Sequence, residues 1–365
     1  MLTPDVDTGS LRMYHLLMIL QELSWQVTFI ASFPHSWPPY TSRVEEDADR
    51  LRKLGIEVVL PPAVDRVADH LEQCGELYDV VILSDEYVAS KHLIAVREYA
   101  PQATVVFDTV DLHHLRHFRE AKVTGNQRVL RRALRAKKRE LAAVRHSDFT
   151  LVVSPVEKAI LEKECPETRV HVISSIHELH GSCQPFGERT GIAFIGAFQH
   201  SANLDAIDYF LEEIFPLIRH AISDVKFYII GSDPPESVQR WRCEDVIVTG
   251  FVPDLAQTFD SCRLSVAPLR FGAGVKGKIL TSMSYGVPVV ASSIAAEGMH
   301  LTDGEDIIVA DCPERFCAAV ARVHDDQALW NRLSQTGLKS VAQRFSVDAA
   351  RDQLRELLAS IQAGK

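Results

Sequence analysis

What this sequence lacks narrows it first. No window comes near the roughly 18 consecutive apolar residues that a membrane-spanning helix needs. The apolar stretch nearest the start, Leu11–Leu20, is interrupted by Arg12, Tyr14 and His15 and follows no basic segment, so it does not read as a secretory signal. A basic excess is missing too. Lys and Arg number 39 against 49 Asp and Glu, a net charge of −10 that argues against dedicated nucleic-acid binding. The seven cysteines (74, 165, 183, 243, 262, 312 and 317) are odd in number, scattered and without a CxxC pair. Neither a disulfide framework nor a zinc site is expected from them, and the chain reads as cytoplasmic. Short repeats and low-complexity tracts are also absent.

What is present is an ordinary globular composition, 46% apolar and 24% charged over 365 residues, enough for about two domains. Short runs rich in Val, Ile and Phe recur with helix-period segments between them. In the first half they are Val27–Ala31, Ile56–Leu60, Asp79–Leu83, Ala103–Phe107, Phe149–Val153 and Arg169–Ile173. In the second they are Gly191–Ile195, Val225–Ile230, Val246–Thr249, Leu264–Ala267, Val287–Ala291 and Asp306–Val309. Runs apolar on both faces suit parallel strands covered by helices, and their alternation with helices predicts doubly wound α/β sheets. A dozen strands divide better into two sheets of about six than into one. The Gly/Pro-bearing stretch at 181–189 marks the break, with domains expected at 1–183 and 184–345. The segment 346–365, with Leu354, Leu357, Leu358 and Ile361, is expected to be a helix packing back on the first domain. Ligands in such sheets sit outside the carboxyl ends of the strands, so loops after strands hold the chemistry.

One such loop stands out. Arg270-Phe-Gly-Ala-Gly-Val-Lys276-Gly-Lys278 follows the run Leu264–Ala267 and opens a helix predicted from Lys276 to Tyr285, with Gly286 as its stop. Gly272 and Gly274 permit close backbone approach, the helix start offers N–H groups and a positive dipole end, and three cations flank them. Physically this is a diphosphate site. Gly272 to Lys278 also spells the opening of an NTPase phosphate loop, but Ile279 stands where Mg²⁺ ligation needs Ser or Thr. Gly196–Ser201 follows another strand and leads into a helix with Ser201 or Asn203 as expected N-cap. The loops 231–234 and 250–254 are placed similarly.

Two further features carry competing readings. In Asp111-Leu-His113-His114-Leu-Arg-His117, His113 and His117 share i, i+4 spacing, yet the glutamate of a zinc-binding HExxH is replaced by His114, so no metal is expected. Arg116 to His146 carries eleven Lys and Arg against two glutamates, and Leu130, Leu134, Leu141 and Val144 recur at helical spacing. It reads as one amphipathic helix whose basic face either lies on anionic lipid or is solvated.

Taken together these segments resemble glycosyltransferase family 4, the glycosyl transferases group 1. Residues 250–299 resemble its donor-binding half, Asp7–Ile30 its glycine-containing opening loop and first helix, Val105–Glu120 its acceptor-side Asp/His segment, and Thr150–Leu161 a later strand and helix. The resemblance implies a GT-B fold, two Rossmann-like domains facing a cleft. It also implies retaining, metal-independent transfer from a nucleoside-diphosphate sugar of the UDP, GDP or dTDP type, with no permanently bound cofactor. Gly9 would approach the donor diphosphate. Arg270, Lys276, Lys278 and the backbone of Gly272, Gly274 and Val275 would hold it. Gly196 would line the site, Val252 would border the base, and Glu297 would sit near the sugar–phosphate end. Asp111 and His113 would surround the reacting sugar and a saccharide or lipid-linked saccharide acceptor.

Two departures matter. Where many members carry two glutamates, this chain has Ala273 and Thr281, and Thr281 offers the nucleotide ribose a neutral, weaker hydrogen bond. The family's first, central strand should precede Asp5–Arg12. Either Met1–Pro4 supplies a stunted one or the protein continues upstream as part of a longer, multidomain chain. The departures keep open a catalytically silent GT-B binding module. A sugar-nucleotide epimerase is a more distant alternative.

Overall fold

The computed structural model describes residues 2–32, 44–60, 66–181 and 184–363; Cys183, which falls in the expected inter-domain stretch, lies outside them. Two compact units result. The first comprises 1–115, 131–176 and 350–365, the second 116–130 and 177–349.

In the first unit β1 (Thr28–Ile30) and β2 (Glu57–Val59) pair in parallel. Strands β3 (Val80–Ser84), β4 (Thr104–Asp108), β5 (Phe149–Val152) and β6 (Val170–Val172) form a separate parallel sheet in that order. Each strand falls on an expected apolar run, but the single six-stranded sheet is replaced by two sheets. No strand precedes the helix Thr8–Glu22 among the described residues. The N–H groups of Val6 and Asp7 instead both donate to the Thr3 carbonyl, making a turn at 3–7, so the alternative of a stunted strand at Met1–Pro4 is not met among the described residues. Asp7 then caps the helix by accepting from Ser10 N at 2.8 Å, which places Gly9 inside the first helical turn and not in a loop.

Buried charge orders this unit. Arg12, 2% exposed, donates from Nη1 to both carboxylate oxygens of Asp108 at 3.0 and 2.9 Å and from Nη2 to the Ile173 carbonyl at 3.0 Å, fixing the first helix against the ends of β4 and β6. A pair so enclosed is stable only because its remaining donors find acceptors. Two other buried carboxylates cap the helix His113–Thr124: Glu157 accepts from Leu112 N, and Glu140 accepts from His113 N and meets the His114 ring. His114 is thereby a structural residue.

The basic segment is two helices, His113–Thr124 and Gln127–His146, where one was expected. Gly125 takes φ +67°, a left-handed stop, and Asn126 restarts the chain by accepting from Arg128 N at 2.9 Å. The last helix runs Val347–Ala363; within the first unit, Arg351 pairs with Glu22 at 2.7 Å.

The second unit holds β7 (Gly191–Ile195), β8 (Phe227–Ile230), β9 (Val246–Gly250), β10 (Cys262–Ala267), β11 (Val289–Ala291) and β12 (Ile308–Val309), all parallel in the order β12-β11-β10-β7-β8-β9. Its core stacks Phe194, Phe210, Phe215, Phe227 and Phe316, all 2% exposed or less. No helix among the described residues is long and apolar enough to cross a membrane.

Candidate functional site

Strand order positions the candidate site. The chain leaves β7 toward β8 and β9, and leaves β10 toward β11 and β12 on the other side. The loops at the carboxyl ends of these two neighbours therefore diverge, and the crevice between them is where a doubly wound sheet takes its ligand.

The β7 side begins at Gly196. Its carbonyl lies so near Gly231 that a Cβ there would come within 2.1 Å, which requires glycine at 231. A Cβ on Gly196 would meet Asn203 Nδ2 at 2.8 Å. The helix that follows is Ser201–Tyr209, preceded by His200, so neither Ser201 nor Asn203 is its cap. Asn203 is buried and bridges the two sides instead: Nδ2 donates to the Ala197 carbonyl at 2.7 Å, and Oδ1 accepts from Lys278 Nζ at 2.8 Å.

The β10 side is the glycine turn. Residues 271–274 are buried, with Gly274 at φ +64°. Lys276, 8% exposed, curls back so that Nζ donates to the carbonyls of Ala273 at 2.9 Å and Gly274 at 2.6 Å. The Gly272 carbonyl accepts from Arg119 Nη1 at 2.8 Å. Because a trans peptide points its N–H opposite its carbonyl, the N–H groups of Ala273, Gly274 and Val275 all face away from those cations. Among the described residues none of the three has an acceptor. Buried backbone donors are paired more than nine times in ten, so acceptor-free N–H groups on buried Ala273 and Gly274, continued by half-buried Val275, are donors available to a ligand. A concave row of N–H groups is an anion nest. The helix Gly277–Ser284, entered without a side-chain cap, adds its positive end.

Charge is distributed unevenly here. Burial, and after it the Lys276 charge, pushes the Lys278 amine down to about 7; its nearest partners are the neutral Asn203 and the Phe194 ring, 5.6 Å from Nζ. Arg270 is committed elsewhere, to a bidentate pair with Asp205 at 2.9 and 2.5 Å and to the Tyr209 ring. Glu297, at the end of the short helix Ser293–Ala296, accepts both guanidinium nitrogens of Arg119 at 2.7 and 2.8 Å. Thr281 Oγ1 lies 3.3 Å from Nε2 of buried His177. Val275 packs on the core, and half-buried Val252, next to the exposed Phe251, packs against the buried cluster of Ala193, Ile230, Phe259, Cys262 and Val287, as Leu255 and Tyr285 do.

In the first unit, Asp111 and His113 follow the carboxyl end of β4. His113 Nε2 lies 3.2 Å from Asp111 and 3.5 Å from Asp85, while Nδ1 is 3.9 Å from Glu86. Glu86 is itself gripped by Arg139 at 2.6 Å; burial opposes its ionisation, but Arg139 and His113 outweigh it and hold the carboxyl down at about 2. Burial pushes Asp85 up. His117 is buried beside Glu120, 3.3 Å from it. Among the described residues no His, Cys, Asp and Glu group is arranged to hold a metal.

Asn203, Arg119, His177, Asp85, Glu86 and Arg139 had not been singled out as site residues from sequence. Each reaches its partner through the fold, and only Asn203 has a local signal, its place at the expected start of a helix after a strand.

Residues 189–326 match the family model described as glycosyl transferases group 1. That segment includes the glycine turn and both sides of the crevice. Over 129 residues the chain is 25% identical to an uncharacterized 44.6 kDa protein in the cps region of Klebsiella pneumoniae, covering 33% of each. The fold is similar to sucrose-phosphate synthase of Thermosynechococcus elongatus (TM-score 0.70, 15% identity, 98% of this chain and 94% of that one). It is also similar to HepE of Anabaena in complex with UDP-glucose (0.68, 15%, 97% and 96%). S. aureus TarM, solved with UDP, is matched over 80% of this chain but 57% of its own length (0.65, 12%). The match to the Klebsiella protein thus spans a third of that relative, and the match to TarM little more than half of it. These likenesses establish the α/β, parallel-sheet fold shared with GT-B glycosyltransferases.

Proposed function

We propose that this protein is a retaining glycosyltransferase that moves a hexose or deoxyhexose from a nucleoside-diphosphate sugar to a glycan or glycoconjugate acceptor, without a metal. The row of acceptor-free N–H groups at Ala273–Val275, backed by Lys276 and continued by a helix start, carries this reading. As the sugar–phosphate bond breaks, negative charge builds on the leaving diphosphate, and fixed donors already aimed at it stabilise that charge with little reorganisation. Lys278 adds a cation whose charge an incoming diphosphate would stabilise. HepE was solved with UDP-glucose and TarM with UDP, which supports a nucleotide-sugar donor, and the cps-region relative supports a place in polysaccharide assembly. Retention rests on the family resemblance. On this reading Gly9 approaches the donor, Arg270 and Glu297 border it, Val252 and Gly196 line the base side, and Asp111 and His113 meet the acceptor.

A panel of UDP, GDP and dTDP sugars scored by thermal unfolding tests it. The matching donor at a hundredfold excess over its Kd should stabilise the protein by about 3 kcal/mol. No response to any nucleotide removes the reading. One observation favours a second reading, a silent binding module: Thr281 faces His177 where a carboxylate would serve the ribose. Nucleotide binding without turnover on any acceptor would support it. Arg131, Arg132, Arg135 and Lys138, exposed around the 56%-exposed Leu134, suit an anionic lipid surface. Vesicle pelleting that is indifferent to acidic lipid would dismiss that contact.

A further inference from the structure

All three carbonyls of the glycine turn accept hydrogen bonds from cationic side chains. Lys276 holds two of them, Ala273 and Gly274, from within the turn. It does not hold the third. The Gly272 carbonyl is bonded by Arg119, a residue 153 positions earlier in the chain, on the helix His113–Thr124. The peptide joining Gly272 to Ala273 is free to rotate on its glycine side, since glycine tolerates most φ and ψ. If that plane turned over, the Ala273 N–H would be withdrawn and a carbonyl oxygen would face an arriving anion.

We propose that Arg119 is a positioning residue that sets the anion receptor by locking the Gly272–Ala273 peptide plane. Its guanidinium is suited to the task because it is itself immobilised. Glu297 accepts two of its nitrogens in a fork at 2.7 and 2.8 Å, and the same Nη1 reaches Gly272 at 2.8 Å. The planar fork fixes the direction of the third bond, which a lysine at 119 would not reproduce. Glu297 also neutralises the arginine. Arg119 therefore acts through geometry, and the attraction for phosphate is left to the N–H row, Lys276 and Lys278. This inference rests on the reading of the turn as a diphosphate site.

Titration calorimetry on the full chain, with UDP and with inorganic pyrophosphate, separates the two. The wild-type protein should bind both. Arg119→Ala should weaken both on the order of tenfold or more, the effect of removing a hydrogen bond to a charged group. Arg119→Lys keeps the charge and should recover little of the loss; full recovery would mean that charge, not the fork, matters, and would overturn the proposal. Glu297→Gln keeps the acceptor but not the charge, and should cost less than Arg119→Ala. Measurements are made well below each variant's unfolding midpoint, so a merely structural role predicts unchanged affinity. Should Arg119→Ala fail to fold, Arg119→Lys alone decides: wild-type affinity in it overturns the inference, and a tenfold loss sustains it. If the wild-type protein binds UDP and pyrophosphate but Arg119→Ala binds them equally well, the positioning role is wrong and the diphosphate site stands. If the wild-type protein binds neither UDP nor pyrophosphate nor any nucleotide of the panel, both fall.

Discussion

The glycine turn of the second unit and the histidine cluster of the first are built on opposite plans. On the proposed reading the turn is a contiguous run of residues that works through backbone N–H donors, while side chains bond its carbonyls. The cluster is a set of side chains, Asp85, Glu86, Asp111, His113 and Arg139, contributed by segments up to 54 positions apart and converging beside β3 and β4. A backbone site must carry glycine and must be local, so it leaves a signature in one stretch of sequence. A side-chain site needs only a fold that brings the pieces together. The contrast also assigns different chemistry. N–H rows suit a polyanion, whereas carboxylates around an imidazole suit hydroxyl groups.

The largest effect should therefore come from the turn. Lys276→Ala removes one cation and releases two carbonyls, and turnover should fall by at least a hundredfold, the worth of about 3 kcal/mol for a single preorganised donor. UDP affinity should fall with it. His113→Ala should lower turnover while leaving UDP affinity nearly unchanged, because its neighbours are carboxylates and not phosphate donors. Steady-state kinetics beside UDP titration measures both. Near-normal turnover in Lys276→Ala, or equal loss of UDP affinity in the two variants, would erase the distinction.

A smaller effect follows from Lys278. Its folded-state pKa of about 7 lies well below the ordinary lysine value, so between these two the unfolded chain binds more protons than the folded one. Linkage then requires stability to rise with pH from about 7 upward, and nucleotide binding, which favours the charged amine, to take up a proton near pH 8. Urea unfolding at pH 7 and pH 9 should show wild-type gaining more with pH than Lys278→Met. Calorimetry in buffers of different ionisation heat should show the proton uptake, and its absence would mean that the amine stays clear of the ligand.

The same contrast explains what could be read in advance. The twelve strands among the described residues fall on apolar runs, and β7 covers Gly191–Ile195 as expected, because burial on both faces forces such runs in parallel sheets. Helix stops were legible where glycine made them: Gly286 at φ +66° ends Gly277–Ser284 as expected. Gly125 at φ +67° breaks the basic segment by the same rule, though the apolar spacing on either side masked it. Strand order, the division of the first unit's strands into two sheets, and the capping of His113 and His114 by Glu140 depend on long-range pairing that no local pattern encodes. Arg119 belongs to that class, one polar residue among many until the chain is folded.

The smallest effect sharpens the side-chain half of the comparison. Asp85 sits at φ +82° and ψ 145°, a region that only glycine occupies comfortably, and such strain costs about 1–3 kcal/mol. The side chain partly repays this by accepting from Tyr87 N at 2.8 Å as the cap of the helix Glu86–Tyr99. Asp85→Gly would relieve the strain and forfeit the cap, for which glycine substitutes at a cost of a few tenths of a kcal/mol. Asp85→Ala would keep the strain and lose the cap outright. The glycine variant should therefore be the more stable of the two by about 1–2 kcal/mol, read from paired denaturant curves, although glycine ordinarily loses to alanine on chain entropy. If both variants retain full turnover, the aspartate is held there for the fold alone. If the glycine variant is stable and slow, the strain is kept for the carboxylate beside His113, and the first unit works through side chains as the second works through its backbone.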